Sequence, residues 1–199
     1  MIFKKKLKKK IKSTLRGFTL IEMLVSISIF AIITGVVLTR NAQFSGNILI
    51  GNLAYDVALS IRQAQVFGLS VREFEVGGGR FDIGYGVNFD GSISDSYIFF
   101  ADLDDDQKYD SPLEAIETLT LRNGYTIANV CGVLPGGTRK CTAFSEILFL
   151  DVVFKRPDPD ANINTNLLEM YSRAEITVAS PTGKERMITV WSTGQISVK

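Results

Sequence analysis

The sequence predicts an α+β chain: a long N-terminal helix, transmembrane in its first half and amphipathic in its second, packed on a mostly antiparallel β head. Three observations carry this. Residues 18–39 form an apolar run of about 22 residues with one charge, Glu22. Residues 47–68 continue with apolar side chains at three-to-four spacing. From residue 71 onward the apolar positions alternate with a period of two, between Gly, Asp, Asn and Pro breakers. The divisions are a basic leader at 1–17, a membrane span at 18–39, a helical continuation at 40–70 and an extracytoplasmic head at 71–199.

Charge is segregated along the chain. Overall, 22 Lys and Arg stand against 21 Asp and Glu. Eight of the basic residues (Lys4, Lys5, Lys6, Lys8, Lys9, Lys10, Lys12 and Arg16) lie in the first 16 positions, which hold no acid. The rest of the chain is therefore acidic and a poor general binder of nucleic acid. Histidine is absent. That excludes Ser-His-Asp and Cys-His centres, His-ligated zinc and a haem with a proximal His. Two cysteines are too few for a thiolate cluster.

At about 1.5 Å per residue the run 18–39 is long enough to cross a bilayer. The basic segment before it predicts a cytoplasmic amino terminus and an exported remainder. A secretory signal peptide has a shorter apolar core and a small-x-small cleavage site, and Arg40-Asn41-Ala42-Gln43-Phe44 offers none. A plain anchor is the other bland reading. Neither accounts for Glu22, since a carboxylate in an apolar span is costly unless paired. Phe18 and Glu22 are four apart and share one helical face. Ser26, Ser28, Ala31 and Gly35 permit close helix packing.

The segment Arg16-Gly17-Phe18-Thr19-Leu20-Ile21-Glu22 resembles the processing site of type IV prepilins and pseudopilins. The resemblance implies that a prepilin peptidase and methyltransferase cuts after Gly17 on the cytoplasmic side and N-methylates Phe18. It also implies that Glu22 serves assembly, neutralised by a neighbouring subunit's terminal amine as subunits leave the bilayer for a fibre. The partners it implies are other pilins or pseudopilins, an inner-membrane assembly platform and, before assembly, membrane lipid. Many major pilins have proline at the position of Thr39; this chain does not, which puts helix melting there in doubt.

In the second half of the helix, Leu49, Leu53, Val57, Ile61 and Ala64 form the apolar stripe, with Gly68 as a candidate C-cap. Ile61-Arg62-Gln63-Ala64-Gln65 and Gly68-Leu69-Ser70-Val71 resemble the H-type minor pseudopilins and related minor pilins. Strands are predicted at 72–76, 81–89, 97–103, 117–121, 125–130, 146–155, 174–179 and 186–198, the last split near Gly194. Asn123-Gly124 and Pro181-Thr182-Gly183 read as hairpin turns. Two packed sheets of short strands are expected. Gly84-Tyr85-Gly86-Val87, Phe99-Phe100-Ala101-Asp102 and Ser192-Thr193-Gly194-Gln195-Ile196 resemble segments of the H-type β heads.

Seven acids fall between Asp90 and Asp110, opposed only by Lys108. Asp102, Asp104, Asp106 and Asp110 occupy positions 1, 3, 5 and 9 of an EF-hand-like loop, a pattern that converges hard oxygens on calcium. Gln107 stands where such loops have Gly, and Glu114 falls one place after the twelfth position. The alternative is a solvated acidic turn; no cofactor is required by either reading. Asp158-Pro159-Asp160-Ala161-Asn162 reads as a turn. Cys131 and Cys141 are expected to form a disulfide in an exported head, or else to remain two reduced thiols. Arg139 and Lys140, with Lys184 and Arg186, form a candidate basic patch for DNA.

The function expected is structural and non-enzymatic: a minor pilin or pseudopilin of a type IV pilus-like filament or a type II secretion pseudopilus. The alternatives are a DNA-binding or adhesive tip pilin of an uptake pilus, and an anchored extracytoplasmic enzyme. No nucleophile–base pair or metal triad supports the enzyme. The expected location is a single membrane pass with an extracytoplasmic head, then a periplasmic or extracellular filament.

Overall fold

The computed structural model describes residues 17–70 and 82–199, with the side chains of 39–47 outside that description. The strand expected at 72–76 lies outside the described residues. The chain divides into two units, Met1–Gln43 and Phe44–Lys199.

A single helix, α1 (Leu20–Leu69), contributes to both. In the first unit it begins after Thr19, and its apolar side chains from Leu20 to Leu38 are exposed. That stretch is 19 residues long and apolar enough to cross a membrane. Its two serines are satisfied internally: Ser26 Oγ donates to the Glu22 carbonyl (2.7 Å) and Ser28 Oγ to the Leu24 carbonyl (2.9 Å). These back-bonds let hydroxyls sit in an apolar helix without an outside partner.

In the second unit the rest of α1 joins two five-stranded antiparallel sheets. The strands are β1 (Gly84–Asp90), β2 (Ser96–Asp102), β3 (Ala115–Thr120), β4 (Thr126–Val133), β5 (Arg139–Cys141), β6 (Phe149–Phe154), β7 (Ala161–Thr165), β8 (Arg173–Ala179), β9 (Glu185–Trp191) and β10 (Ile196–Val198). One sheet runs β3-β2-β1-β6-β7, the other β10-β9-β8-β4-β5. Period-two alternation supplies the core. Tyr85, Val87 and Phe89 of β1 join Val152 and Phe154 of β6, Ile176 and Val178 of β8 and Ile188 and Val190 of β9 in one buried cluster.

The helical stripe is rotated from its expected phase. Val57, Ile61 and Ala64 are buried as expected, but Ile50 and Ala54 join them, while Leu49 is half exposed and Leu53 only partly buried. At about 100° per residue, a face centred on Ile50 turns Leu49 toward the edge. Gln65 is buried on this face because its amide has two fixed acceptors. Its Nε2 donates to the carbonyls of Pro159 and Gly194, each at 3.1 Å. Gly68 is not a C-cap: α1 runs on through Leu69, and a Cβ at Gly68 would lie 2.1 Å from the Phe154 carbonyl oxygen. The Arg156 N–H donates to the Gly68 carbonyl at 3.1 Å.

Asn123 and Gly124 adopt the expected positive φ, 61° and 74°. They do not form a hairpin, because β3 and β4 belong to different sheets. The turn carries the chain between layers. Pro181-Thr182-Gly183 does connect a hairpin, β8 to β9. Strands β5 and β7 were not among those expected. The segment 158–162 is not itself a turn: the turn falls just before it, at Arg156 and Pro157, and residues 161 and 162 belong to β7. Cys131 and Cys141 face each other across β4 and β5 and are joined by a disulfide. Closing so short a loop contributes roughly 2–3 kcal/mol through the unfolded state.

Candidate functional site

The first site is the start of α1. Thr19 precedes the first helical residue, and its carbonyl accepts the Met23 N–H at 3.2 Å. The Glu22 N–H donates to Thr19 Oγ1 at 3.3 Å. In return, Glu22 Oε2 accepts the Thr19 N–H at 3.3 Å and the Thr19 hydroxyl at 3.2 Å. This is a reciprocal capping box, and Thr-x-x-Glu is its sequence signal. Gly17, Phe18, Thr19 and Glu22 line one open concavity. Phe18 is exposed.

The second site is the loop between β2 and β3, which covers the outer face of the first sheet. Here buried acids hold the backbone. Asp102 Oδ1 accepts the Asp105 N–H (2.8 Å) and its Oδ2 the Gln107 N–H (3.1 Å). Glu114 accepts from Leu103 N (2.9 Å) and Asp110 N (3.3 Å). Asp151 of β6 accepts from Asn88 Nδ2 (2.6 Å) and Tyr109 N (3.3 Å). Asn164 Nδ2 reaches the Gln107 carbonyl at 2.8 Å, and the Tyr109 ring packs 5.5 Å from that of Phe100. Gln107 takes φ 65°, supplying the left-handed turn without glycine.

Asp102, Asp104 and Asp106 each bring a carboxylate oxygen within 4.8 Å of the others. Asp110 is not part of that group. Asp102 is buried, while Asp104 and Asp106 are exposed. Three hard oxygens fit a cation of the calcium type but are fewer than the six to eight it takes. Asp151 carries no loop-motif signal; only its place as a lone acid in the apolar run 149–154 marks it.

Burial raises the Asp151 carboxyl to about 7, against the bonds from Asn88 and Tyr109; Asp106 adds to the rise and Lys108 opposes it. Burial likewise raises Asp102 to about 6, partly offset by the Gln107 and Asp105 N–H groups, with the charges of Asp105 and Asp106 adding to the rise. An unfolded carboxyl titrates near about 4. The folded head therefore binds these protons more tightly than the unfolded chain. The associated stability is full below about pH 4 and is lost as pH rises through 6 and 7. Melting of the metal-free head should accordingly occur several degrees higher at pH 5 than at pH 8. A flat profile would show that these acids do not titrate in that range.

The four basic residues do not form one patch. Arg139 and Lys140 lie on β5, at one edge of the second sheet, whereas Lys184 and Arg186 lie at the β8–β9 turn. Strand register places Arg139 near Val133, Arg173 and Trp191, at the end of β9 away from Arg186. Arg139 is ion-paired to Glu175 at 3.1 Å, and Lys140 approaches Glu146 at 3.8 Å.

Among the described residues one helix is long and apolar enough to cross a membrane; it opens on a carboxylate-capped turn and is followed by a β head, an arrangement that fits a single-pass anchored protein. A family model described as the prokaryotic N-terminal methylation motif matches residues 13–38. The match supports a type IV pilin-like protein, and with it processing by prepilin peptidase and assembly with other pilins. Pilin-like proteins are structural rather than enzymatic as a class. No curated protein and no solved structure matches the chain.

Proposed function

We propose that the chain is a structural minor subunit, a minor pilin or pseudopilin. It is cut after Gly17, methylated on Phe18, held in the membrane with a cytoplasmic amino terminus, and assembled through α1 with the help of an inner-membrane platform. The observation that carries this is the methylation-motif match over 13–38, whose part from Leu20 onward is an exposed apolar helix that contains Glu22. A second feature supports it. On the part of α1 within the head, Tyr55, Leu59 and Val66 are 60%, 64% and 56% exposed. Their i, i+4, i+11 spacing makes one apolar stripe, turned away from the buried Ile50, Ala54, Val57 and Ile61. A neighbouring subunit's helix is the natural cover for it. Leu59→Glu should reduce the sheared filament fraction at least tenfold while the head melts as in the wild type. Normal filament yield would sink this role for the stripe.

The tip-adhesin and DNA-uptake reading draws less support, because the four basic residues are split between two corners of a sheet. For the acidic loop we propose calcium as the ion, supported by the convergence of Asp102, Asp104 and Asp106. Millimolar calcium should raise head melting by several degrees relative to chelator, and magnesium by less. Identical melting curves would remove the ion.

A further inference from the structure

We propose that the open edge of β7 is a docking site for an extended basic segment of another polypeptide, which joins the first sheet there as an added strand. The inference stands apart from the filament reading and does not rest on it.

β7 is an edge strand, paired with β6 on one side only. In an antiparallel ladder successive residues turn their main-chain groups to opposite sides. The Ala161 N–H donates away from β6, to the Ser192 carbonyl at 2.7 Å. Ile163, two residues on, therefore turns its N–H and carbonyl the same way, while Asn162 and Asn164 turn theirs to Val153 and Asp151 of β6. Among the described residues nothing bonds to the main chain of Ile163 on that open side. Such an edge is a template for another strand, and proteins guard it with charge, shortness or irregular pairing. The other three edges are guarded in these ways. β5 and β10 are three residues long, β5 carries Arg139 and Lys140, and β3 carries Glu117 and pairs with a register shift. β7, Ala161-Asn162-Ile163-Asn164-Thr165, has no charge and a regular register.

A cleft of about 240 Å³ follows this edge, lined by Asp160 to Asn164 together with Glu169, Met170 and Ser192. It is smaller than the roughly 300–1,000 Å³ of small-molecule pockets, and its wall is a strand. Its two acids, Asp160 and Glu169, are exposed and form no ion pair among the described residues. They select Lys or Arg on the incoming strand. The exposed thioether of Met170 offers an adaptable apolar contact beside them. A second copy does not supply this strand from its described residues. The basic residues on its strands are Arg139, Lys140, Arg173 and Arg186. β8 and β9 are paired on both sides, and Arg139 and Lys140 face Glu175 and Glu146 of their own chain.

The experiment uses the full chain in lipid nanodiscs and capped peptides about seven residues long, the length of an ordinary strand. One peptide alternates lysine with valine and another alternates glutamate with valine. Two more are the lysine peptide N-methylated on every lysine or on every valine, so that each blocks the N–H groups of one edge. Hydrogen exchange reads the Ile163 and Asn164 amides, and titration reads affinity. In the free chain the Ile163 amide should exchange faster than that of Asn164, which is in the ladder. Saturating lysine peptide should slow Ile163 by about tenfold, and the glutamate peptide should not. One methylated peptide should bind as the parent does and the other about tenfold more weakly. Asp160→Lys combined with Glu169→Lys should weaken the lysine peptide about tenfold and favour the glutamate peptide, with melting as in the wild type. An Ile163 amide as protected as Asn164 in the free chain overturns the open edge. No slowing by the lysine peptide, or equal binding of the two methylated forms, overturns strand addition. Indifference to the charge reversal overturns the basic occupant. Protection of Ile163 that grows with protein concentration in the absence of peptide makes the occupant a second copy, which also overturns the proposal. Should the double variant not fold, the methylated pair decides the matter on wild type alone.

Discussion

A Gly17→Val chain should remain at full precursor length, whereas wild type from native membranes should begin at Phe18 and carry one additional methyl. The difference is expected to be all or none, because methylation of Phe18 needs the free amine that cutting the Gly17–Phe18 bond would release. The structure makes the experiment clean. Among the described residues beyond its chain neighbours, nothing lies within 4 Å of where a Cβ on Gly17 would sit, so a side chain there disturbs no described contact. Gly17 also precedes the first helical residue, so the helix itself does not require the glycine. Any loss is then assigned to recognition of the bond by the processing enzyme. The uncut chain keeps its leader with its eight basic residues next to the span. Such charges favour the cytoplasmic side of a bilayer, so filament yield is expected to fall to background. Intact-mass measurement and amino-terminal sequencing check both parts. A Gly17→Val chain that still begins at Phe18 would refute the assigned processing site. A wild-type chain that retains Met1 would make the protein a plain anchored one.

Gly68→Ala should destabilise the head by about 3 kcal/mol, the upper part of the range for overpacking a tight contact. The added carbon would sit 2.1 Å from the Phe154 carbonyl oxygen and 2.7 Å from its carbon. Both are backbone atoms of β6, which pairs with β1 and β7 on its two sides. Neither can shift without moving the middle of a sheet. The same helical turn is bonded to Arg156 N through the Gly68 carbonyl, and Phe67 stacks edge-on against Tyr85 and Phe99, with ring centres 5.6 Å apart in each case. Relief by backing the helix away would therefore break a hydrogen bond and open the aromatic cluster. A fall in melting temperature of roughly 6–12 °C is expected for a domain of this size. Gly51→Ala is the control: it meets nothing within 4 Å and should be neutral or slightly stabilising through helix propensity. Equal melting of the Gly68 and Gly51 variants would show that the helix end is not held against β6 as described.

The features legible in the sequence are the local ones. A 19-residue apolar helix follows from side-chain transfer alone, and the amphipathic continuation from a 3.6-residue repeat. Gly17 to Glu22 are contiguous, so both the proposed processing site and the capping box depend on neighbours within five positions. The two-layer β head follows from period-two alternation, and the left-handed turn at Asn123 and Gly124 from their backbone preferences.

Long-range pairing decided the remainder. Asn123-Gly124 joins two sheets instead of one hairpin because β3 finds a better partner in β2, and β4 in β8 and β5. Three of the four aspartates in the calcium-like pattern converge, and Asp110 does not, because Glu114 and Asp151 draw the backbone around it and Tyr109 down onto the sheet. The basic residues read as one patch are parted by the strand order β9-β8-β4-β5. Gly68 looks like a helix stop in one dimension and is a helix–sheet contact in three. The apolar span and the methylation motif at its start belong to the sequence alone, since both depend on adjacent side chains. Which acids are buried, which glycine is indispensable and which surface of α1 is left for a partner were set by tertiary packing, since each depends on residues tens of positions apart arriving at one place.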